Sequence, residues 1–228
     1  MKQKRILIPT ESPESWKRLL AEPEKHWRAG YSAMSTALSW EEASGIPREI
    51  AFLFEHAEEL AMRDASLAIA IPEYKVSLAG GRRPSQNDVF AILTCSGGLI
   101  SLMVEGKAKE NFDDPLGVWK TRTSPAGVEI RLADITQHIG IDGEIPDVIR
   151  YQLLHRTASA VIEAKRFHAP YAAMIVQSFV SDDKENHYED FREFVGLYGK
   201  QAEKGRLIEL VETNGCRLFA GWVHSKST

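Results

Sequence analysis

Two acidic residues and a lysine, placed at the ends of two neighbouring predicted strands, are the residues of this sequence best suited to chemistry. Asp88 begins one apolar segment and Glu105-Gly-Lys107 ends the next, with a Gly-Gly turn between the two segments. Side chains alternate between the faces of a strand, so Glu105 and Lys107 point to the same face. Hairpin pairing brings Asp88 close to them. Two carboxylates and an ammonium group at a sheet end predict a site for a divalent cation and a phosphodiester.

The chemistry predicted for this site depends on the cation. One or two carboxylates with water molecules suffice to hold magnesium. A bound ion would lower the pKa of a coordinated water and offset phosphate charge. Lys107 would orient the water or stabilise developing negative charge. The alternative is a solvent-exposed strand end, because Glu-x-Lys is a frequent tripeptide and a short motif alone is weak.

The elements that would position these residues follow from hydrophobic periodicity. The pattern predicts a helix from about Pro47 to Arg63 and a strand over Ser66–Leu78 before the hairpin. After the hairpin it predicts a short strand at Val128–Leu132 and a small helix from Ala133. The longest helix then begins at Pro146 and ends near Arg166.

The two ends of the chain carry further elements. A strand-like run at Arg5–Pro9 precedes a helical pattern over Glu24–Ala43, in which a capping-box spacing predicts a second helix from Trp40. A buried strand is predicted at Tyr171–Phe179. A helix over 188–199 and two strands around an Asn-Gly turn complete the chain.

One α/β domain over 1–228 accounts for this pattern. It consists of an N-terminal helical lead-in over 1–46, a core over 47–179, and a C-terminal helix and β-hairpin over 180–228.

The order of elements in the core resembles the PD-(D/E)XK superfamily of restriction-endonuclease-like nucleases. The resemblance implies a central mixed sheet flanked by helices, with Mg²⁺ or Mn²⁺ bound by Asp88, Glu105 and the carbonyl of Gly106. It also implies that Lys107 assists the chemistry. The sequence departs from the family motif at Asn87, where proline is usual.

The N-terminal pattern resembles an uncharacterised bacterial branch of the same superfamily. It consists of Trp27-Arg-Ala-Gly-Tyr-Ser-Ala33, Ser39-Trp40 and Gly45-Ile-Pro47. This second resemblance implies no particular substrate.

Several residues outside the hairpin are candidates to support the site. In nuclease-like folds the helix after Glu-x-Lys lies beside the site, which suggests Gln152, His155 and Arg156 as groups that contact phosphate or position water. The alternative is a solvated helix face, and Gln152 is preferred because it lies nearest the helix start. Many members supply one more acid from the helix before the sheet, here Glu55 or Glu59. An exposed acidic face would explain both of those equally.

A Gly-flanked loop before Asp88 carries Arg82 and Arg83. Arginines on loops near a cleft suit contacts to a nucleic-acid backbone, so both are candidates for nucleic-acid binding. As ordinary surface charges they need no such role.

Composition restricts the function classes further. The net charge of -4 argues against coating of DNA by bulk electrostatics, although a local basic cleft remains compatible with it. Cys95 and Cys216 lie in apolar segments and are expected as buried thiols in a reducing cytoplasm. No apolar run is long enough to span a membrane.

The resulting prediction is a cytoplasmic, divalent-metal-dependent nuclease that hydrolyses phosphodiester bonds of nucleic acid. The alternative is a catalytically inactive protein of the same fold that serves as a binding or interaction module. If these segments do not form a hairpin, the third hypothesis is an unrelated α/β binding protein. Many nucleases of this type form homodimers, but no segment of the sequence locates an interface.

Overall fold

The computed structural model describes residues 10–180 and 187–226, so the predicted strand at Arg5–Pro9 lies outside the described residues. Within them, a central sheet has the strand order β1-β2-β3-β4-β6-β5. Its strands are β1 (Ser66–Val76), β2 (Ser85–Cys95), β3 (Gly98–Lys107), β4 (Tyr171–Ser178), β5 (Leu207–Thr213) and β6 (Cys216–His224).

Helices of very different length surround the sheet. They are α1 (Pro23–His26), α2 (Ser32–Glu42), α3 (Arg48–Glu55), α4 (Leu116–Thr121), α5 (Pro125–Ile139), α6 (Tyr151–Phe167) and α7 (His187–Gly196). Short 3-10 turns lie at Pro13–Leu19 and Leu60–Met62. No helix among the described residues is both long and apolar enough to cross a membrane.

The sheet is mixed because β1, β2 and β3 form an antiparallel meander, whereas β4 pairs in parallel with both β3 and β6. Strand β5 closes the other edge antiparallel to β6. Helix α6 forms the crossover from β3 to β4 and packs on one face with α5 and α7. Helices α2 and α3 cover the other face. The predicted α/β class, with a mixed sheet flanked by helices and an N-terminal helical part, is confirmed.

The predicted strand at Val128–Leu132 is wrong, because α5 is a continuous helix across that segment. Ser124 caps the helix by accepting the N–H of Gly127, and Pro125 occupies the first turn, where a missing N–H costs nothing. Gly140 ends the helix in the left-handed conformation, with φ of 68°. These end signals outweigh the β-branched residues within the helix.

Three predicted helix boundaries also differ from the structure. Helix α3 ends at Glu55 instead of Arg63, and α2 continues without a break through the predicted second start at Trp40. Helix α6 begins at Tyr151 because backbone hydrogen bonds to Asp147 and Ile149 hold the preceding segment against α4.

Candidate active site

The candidate site lies where the β2–β3 ladder ends, on the face of the sheet that α6 covers. The last pair of the ladder is Val89 with Val104, and one further step of the same register places Asp88 opposite Glu105. Beyond that point the Asp88 carboxylate accepts the N–H of Gly106 at 2.7 Å. A side chain thus replaces the next ladder hydrogen bond. The structure therefore brings Asp88 to the Glu105–Lys107 segment, as the sequence predicts.

Glu105 is the centre of a buried network of hydrogen bonds and ion pairs. Its Oε2 accepts the Nε–H of Arg156 at 2.6 Å, and its Oε1 lies 2.9 Å from Lys107 Nζ. Oε1 also accepts the amide of Gln152 at 2.7 Å. Glu105 is 2% exposed and Lys107 is 3% exposed, so the alternative of a solvent-exposed strand end is wrong.

The first turn of α6 holds Lys107 in place through Gln152. The Gln152 carbonyl oxygen accepts Lys107 Nζ at 2.9 Å and the backbone N–H of Asp113 at 3.2 Å. The Lys107 ammonium also lies 4.7 Å from the ring centre of Phe112, at cation–π distance. Gln152 therefore contacts both ends of the Glu-x-Lys motif.

Charge pairing decides the ionisation of Glu105. Burial alone would raise the pKa of Glu105, but the charges of Arg156 and Lys107 outweigh it and leave this pKa below its ordinary value. Burial likewise lowers the pKa of Arg156, yet Glu105 and Asp88 raise it overall. Glu105 is therefore a carboxylate held by two cations.

A third acid, Glu73 on β1, joins the site and was not predicted. The β1–β2 register pairs Pro72 with Val89 and Tyr74 with Asn87, which places Glu73 opposite Asp88. Its φ of 52° lies in the left-handed region, which costs a non-glycine residue about 1–2 kcal/mol. Such strain concentrates at functional sites.

The pKa values of the Glu73 and Asp88 carboxyls are both raised above their ordinary values. Burial, with the neighbouring charge of Glu105, raises the pKa of Glu73 to about 7, although Gln86 donates a 2.7 Å hydrogen bond to it. Burial, with Glu105 and Glu73 nearby, raises the pKa of Asp88 well above its ordinary value. Among the described residues, no lysine or arginine forms an ion pair with either acid. Both local cations contact Glu105 instead.

The carboxylate oxygens that accept no hydrogen bond indicate which of these residues could hold a divalent cation. No set of three or more His, Cys, Asp or Glu side chains in the described parts of the chain is arranged to bind a metal. Both Glu105 oxygens already accept hydrogen bonds. Asp88 uses one oxygen for the Gly106 N–H, and Glu73 uses one for Gln86. Since magnesium needs only one or two carboxylates with water, Asp88 and Glu73 fit it better than the predicted pair of Asp88 and Glu105.

Gly106 is required by the close approach of α2 to the opposite face of the sheet. A Cβ at this position would overlap the hydroxyl of Thr36, and it would lie 3.3 Å from Asp88 Oδ2. The structure thus gives a packing reason for glycine between Glu105 and Lys107. A metal-binding role for the Gly106 carbonyl stays a prediction.

His155 and Arg156 are buried, so the alternative of a solvated helix face is wrong for both. The Nδ1 atom of His155 lies 2.8 Å from the hydroxyl of Ser85, which also accepts Arg156 Nη1 at 3.3 Å. Burial, together with the charge of Arg156, lowers the pKa of His155 well below its ordinary value. His155 is therefore neutral at pH 7, and it orients Ser85 without adding charge.

Arg82 and Arg83 are exposed in the loop between β1 and β2, where they line a cavity next to the site.

The two acids predicted from the helix before the sheet, Glu55 and Glu59, lie away from the site. Glu55 pairs with Arg48 at 2.7 Å, and Glu59 pairs with Arg217. The additional acid of the site therefore comes from β1. Only the β1–β2 register places Glu73 at the site, and no local sequence signal identifies it.

Comparison with known proteins gives the chain a family but no function. No curated protein and no solved structure matches it. A family model described as a domain of unknown function, DUF6946, matches residues 9–227, nearly the whole length. The chain therefore belongs to the DUF6946 family.

Proposed function

We propose that this protein is a divalent-metal-dependent nuclease with a restriction-endonuclease-like core. The observation that carries the proposal is the pair of acids Glu73 and Asp88, which the β1–β2 register places opposite each other. Among the described residues neither carboxylate forms an ion pair, and the pKa values of both are raised. Carboxylates in this state favour a cation. They lie beside Glu105-Gly106-Lys107, the motif on which the resemblance to nucleases rests.

In this proposal each residue has a distinct task. Asp88 and Glu73 would hold the cation, and a bound cation would lower the pKa of a water and offset phosphate charge. Lys107 supplies fixed positive charge, and Gln152 positions its ammonium at 2.9 Å. Arg156 keeps Glu105 ionised, so that Glu105 in turn holds Lys107. Arg156 and Gln152 are thus positioning residues.

One observation favours a second candidate function, a nucleic-acid-binding module without hydrolysis. Both oxygens of Glu105 accept hydrogen bonds from Arg156 and Gln152 at 2.6 and 2.7 Å. Glu105, the acid of the Glu-x-Lys motif on which the resemblance to nucleases rests, is therefore not free to bind a metal unless Arg156 and Gln152 move. The two candidates differ in whether a cation produces cleavage.

The test is cleavage of single- and double-stranded DNA and RNA with Mg²⁺ or Mn²⁺ by the full chain. The Asp88→Asn variant keeps an oxygen that can accept the Gly106 N–H, so it should fold and yet lose at least about 100-fold in rate, the low end of a general acid–base or charge-stabilising contribution. Lys107→Met should lose activity as well. Asp142→Asn, at an exposed position, is the matched control and should cleave normally.

Failure of the folded wild type to cut any substrate with either metal would refute the nuclease proposal. Retained cleavage by a folded Asp88→Asn variant would refute the assignment of the site. Binding of fluorescent DNA or RNA without cleavage would support the second candidate.

A further inference from the structure

A cavity of about 670 Å³ opens beside the acid cluster of the candidate site (Glu73, Asp88 and Glu105), between the β1–β2 loop, α4, α5 and the start of α6. This volume lies in the range of small-molecule sites, about 300–1,000 Å³. The cavity adjoins the candidate active site because Arg156, which holds Glu105, also forms part of its wall. Gln86, which donates to Glu73, lies on the same wall.

The cavity is strongly basic although the chain is acidic overall. Among the described residues, its lining includes five arginines and two acids: Arg82, Arg83, Arg122, Arg131, Arg156, Asp113 and Asp114. Arg122 pairs with Asp114, and Arg156 pairs with Glu105. The other three arginines make no ion pair with a described residue. An excess of positive charge therefore faces the cavity.

Arg131 is the most informative of these arginines. It is 6% exposed, and within the described part of the chain its guanidinium donates only to neutral oxygens: the carbonyls of Ala79 and Arg83 and the hydroxyl of Tyr151. These contacts use three of the five N–H groups of a guanidinium. A buried charge is normally paired, because leaving it unpaired is costly. The arrangement indicates an anionic ligand.

The loop that carries Arg82 and Arg83 is fixed against α5. Gly80 has φ of 74°, and a Cβ there would come within 2.5 Å of the Arg131 backbone nitrogen. Asp134 also accepts the Ala79 N–H at 2.9 Å. The two exposed arginines therefore extend from a loop with an anchored base, beside the buried charge of Arg131.

An aromatic wall complements the basic one. The ring of Trp119 stacks on that of Tyr151, with ring centres 4.0 Å apart and planes at 13°. Both residues line the cavity. Aromatic side chains next to arginines suit the bases and phosphates of single-stranded nucleic acid.

We propose that this cavity binds a nucleoside monophosphate unit, with its phosphate at Arg131 and the loop arginines and its base against Trp119. The choice of a nucleotide over another phosphorylated aromatic molecule rests on the proposed function. The unit is either a free mononucleotide or the phosphorylated end of a strand, since both present the same chemistry. Binding here places the ligand beside the acid cluster.

The test is calorimetric titration of the full chain in EDTA, so that binding is measured without metal or cleavage. The probes are deoxyadenosine 5′-monophosphate, deoxyadenosine, and a short single strand with or without a 5′-phosphate. The phosphorylated probes should bind at least about tenfold tighter than their unphosphorylated counterparts, a factor that one charged hydrogen bond supports. Preference for the strand identifies a strand end, and preference for the mononucleotide identifies a free nucleotide. Both support the proposal.

Variants of residues that line the cavity test whether the nucleotide binds there. Arg131→Gln should weaken phosphate-dependent binding at least about tenfold. Because Arg131 also anchors the loop, Arg83→Gln at an exposed position and Trp119→Ala provide independent tests that should each weaken binding. Arg192→Gln, exposed on α7, is the control and should bind normally.

Equal binding of phosphorylated and unphosphorylated probes, or no binding at all, overturns the inference. Unchanged binding by folded Arg131→Gln, Arg83→Gln and Trp119→Ala variants also overturns it. If the wild type binds the phosphorylated probes in EDTA but cuts no substrate with Mg²⁺ or Mn²⁺, only the proposed nuclease activity fails. Failure of the nucleotide site and failure of the nuclease proposal are therefore distinguishable.

Discussion

Replacing Glu73 with glutamine should stabilise the protein at alkaline pH and leave its stability unchanged in acid. The raised pKa of Glu73, about 7 against an ordinary 4.5, means that the folded state retains a proton that the unfolded state has lost. Stability therefore falls as pH rises from about 4.5 to about 7. At about 1.4 kcal/mol per unit the shift corresponds to about 3.5 kcal/mol, and solvent screening at this partly buried position reduces it to about 1–2 kcal/mol.

The assay is urea denaturation of the wild type and Glu73→Gln in EDTA at pH 4 and pH 8. The variant should gain about 1–2 kcal/mol in free energy of unfolding at pH 8 and about 0 at pH 4, where both side chains are neutral. Glu144→Gln, at an exposed position, should show no such pH dependence. A gain of equal size at both pH values, or a loss at pH 8, would refute the reasoning.

Magnesium at pH 8 should stabilise the wild type more than the Glu73→Gln variant.

Three further changes test the packing around the site. Arg156→Met should cost about 3–5 kcal/mol because it leaves the buried Glu105 with only one of its two cationic partners, Lys107. The Glu105→Gln/Arg156→Met double variant should cost less than the sum of the single changes, and additive costs in urea denaturation would contradict the network. Gly106→Ala should cost about 1–3 kcal/mol by overlap with Thr36, and Thr36→Ala should restore part of that loss, as measured by thermal melting. Gly80→Ala should destabilise the fold through both its positive φ and its contact with α5, and an unchanged melting temperature would argue against the anchored loop.

The parts of the fold that local rules determine were predictable from the sequence. Alternation along the hairpin predicted that Glu105 and Lys107 share a face, and both contact Gln152 in the structure. The Asn214-Gly215 turn also forms as predicted, since both residues take positive φ, which a two-residue hairpin turn requires.

The parts that depend on pairing between distant elements were not predictable. Glu73 reaches the site only through the β1–β2 register, and nothing in its local sequence indicates a left-handed φ within a strand. Arg131 was overlooked because its segment was interpreted as a strand, whereas α5 brings it beneath the loop. The sequence left open whether His155 and Arg156 face the site or the solvent, because helical periodicity does not show that their partners Ser85 and Glu105 lie on β2 and β3.

The hydrogen bond from Gly106 to Asp88 makes one backbone amide a spectroscopic reporter of the site. The Gly106 N–H is donated to a carboxylate oxygen at 2.7 Å instead of to a strand carbonyl. Protonation of that carboxylate, or its occupation by a cation, changes the acceptor and therefore the proton resonance of this amide. Glycine amides are readily distinguished in ¹⁵N correlation spectra, so one peak could follow ionisation and cation binding in solution without any substrate.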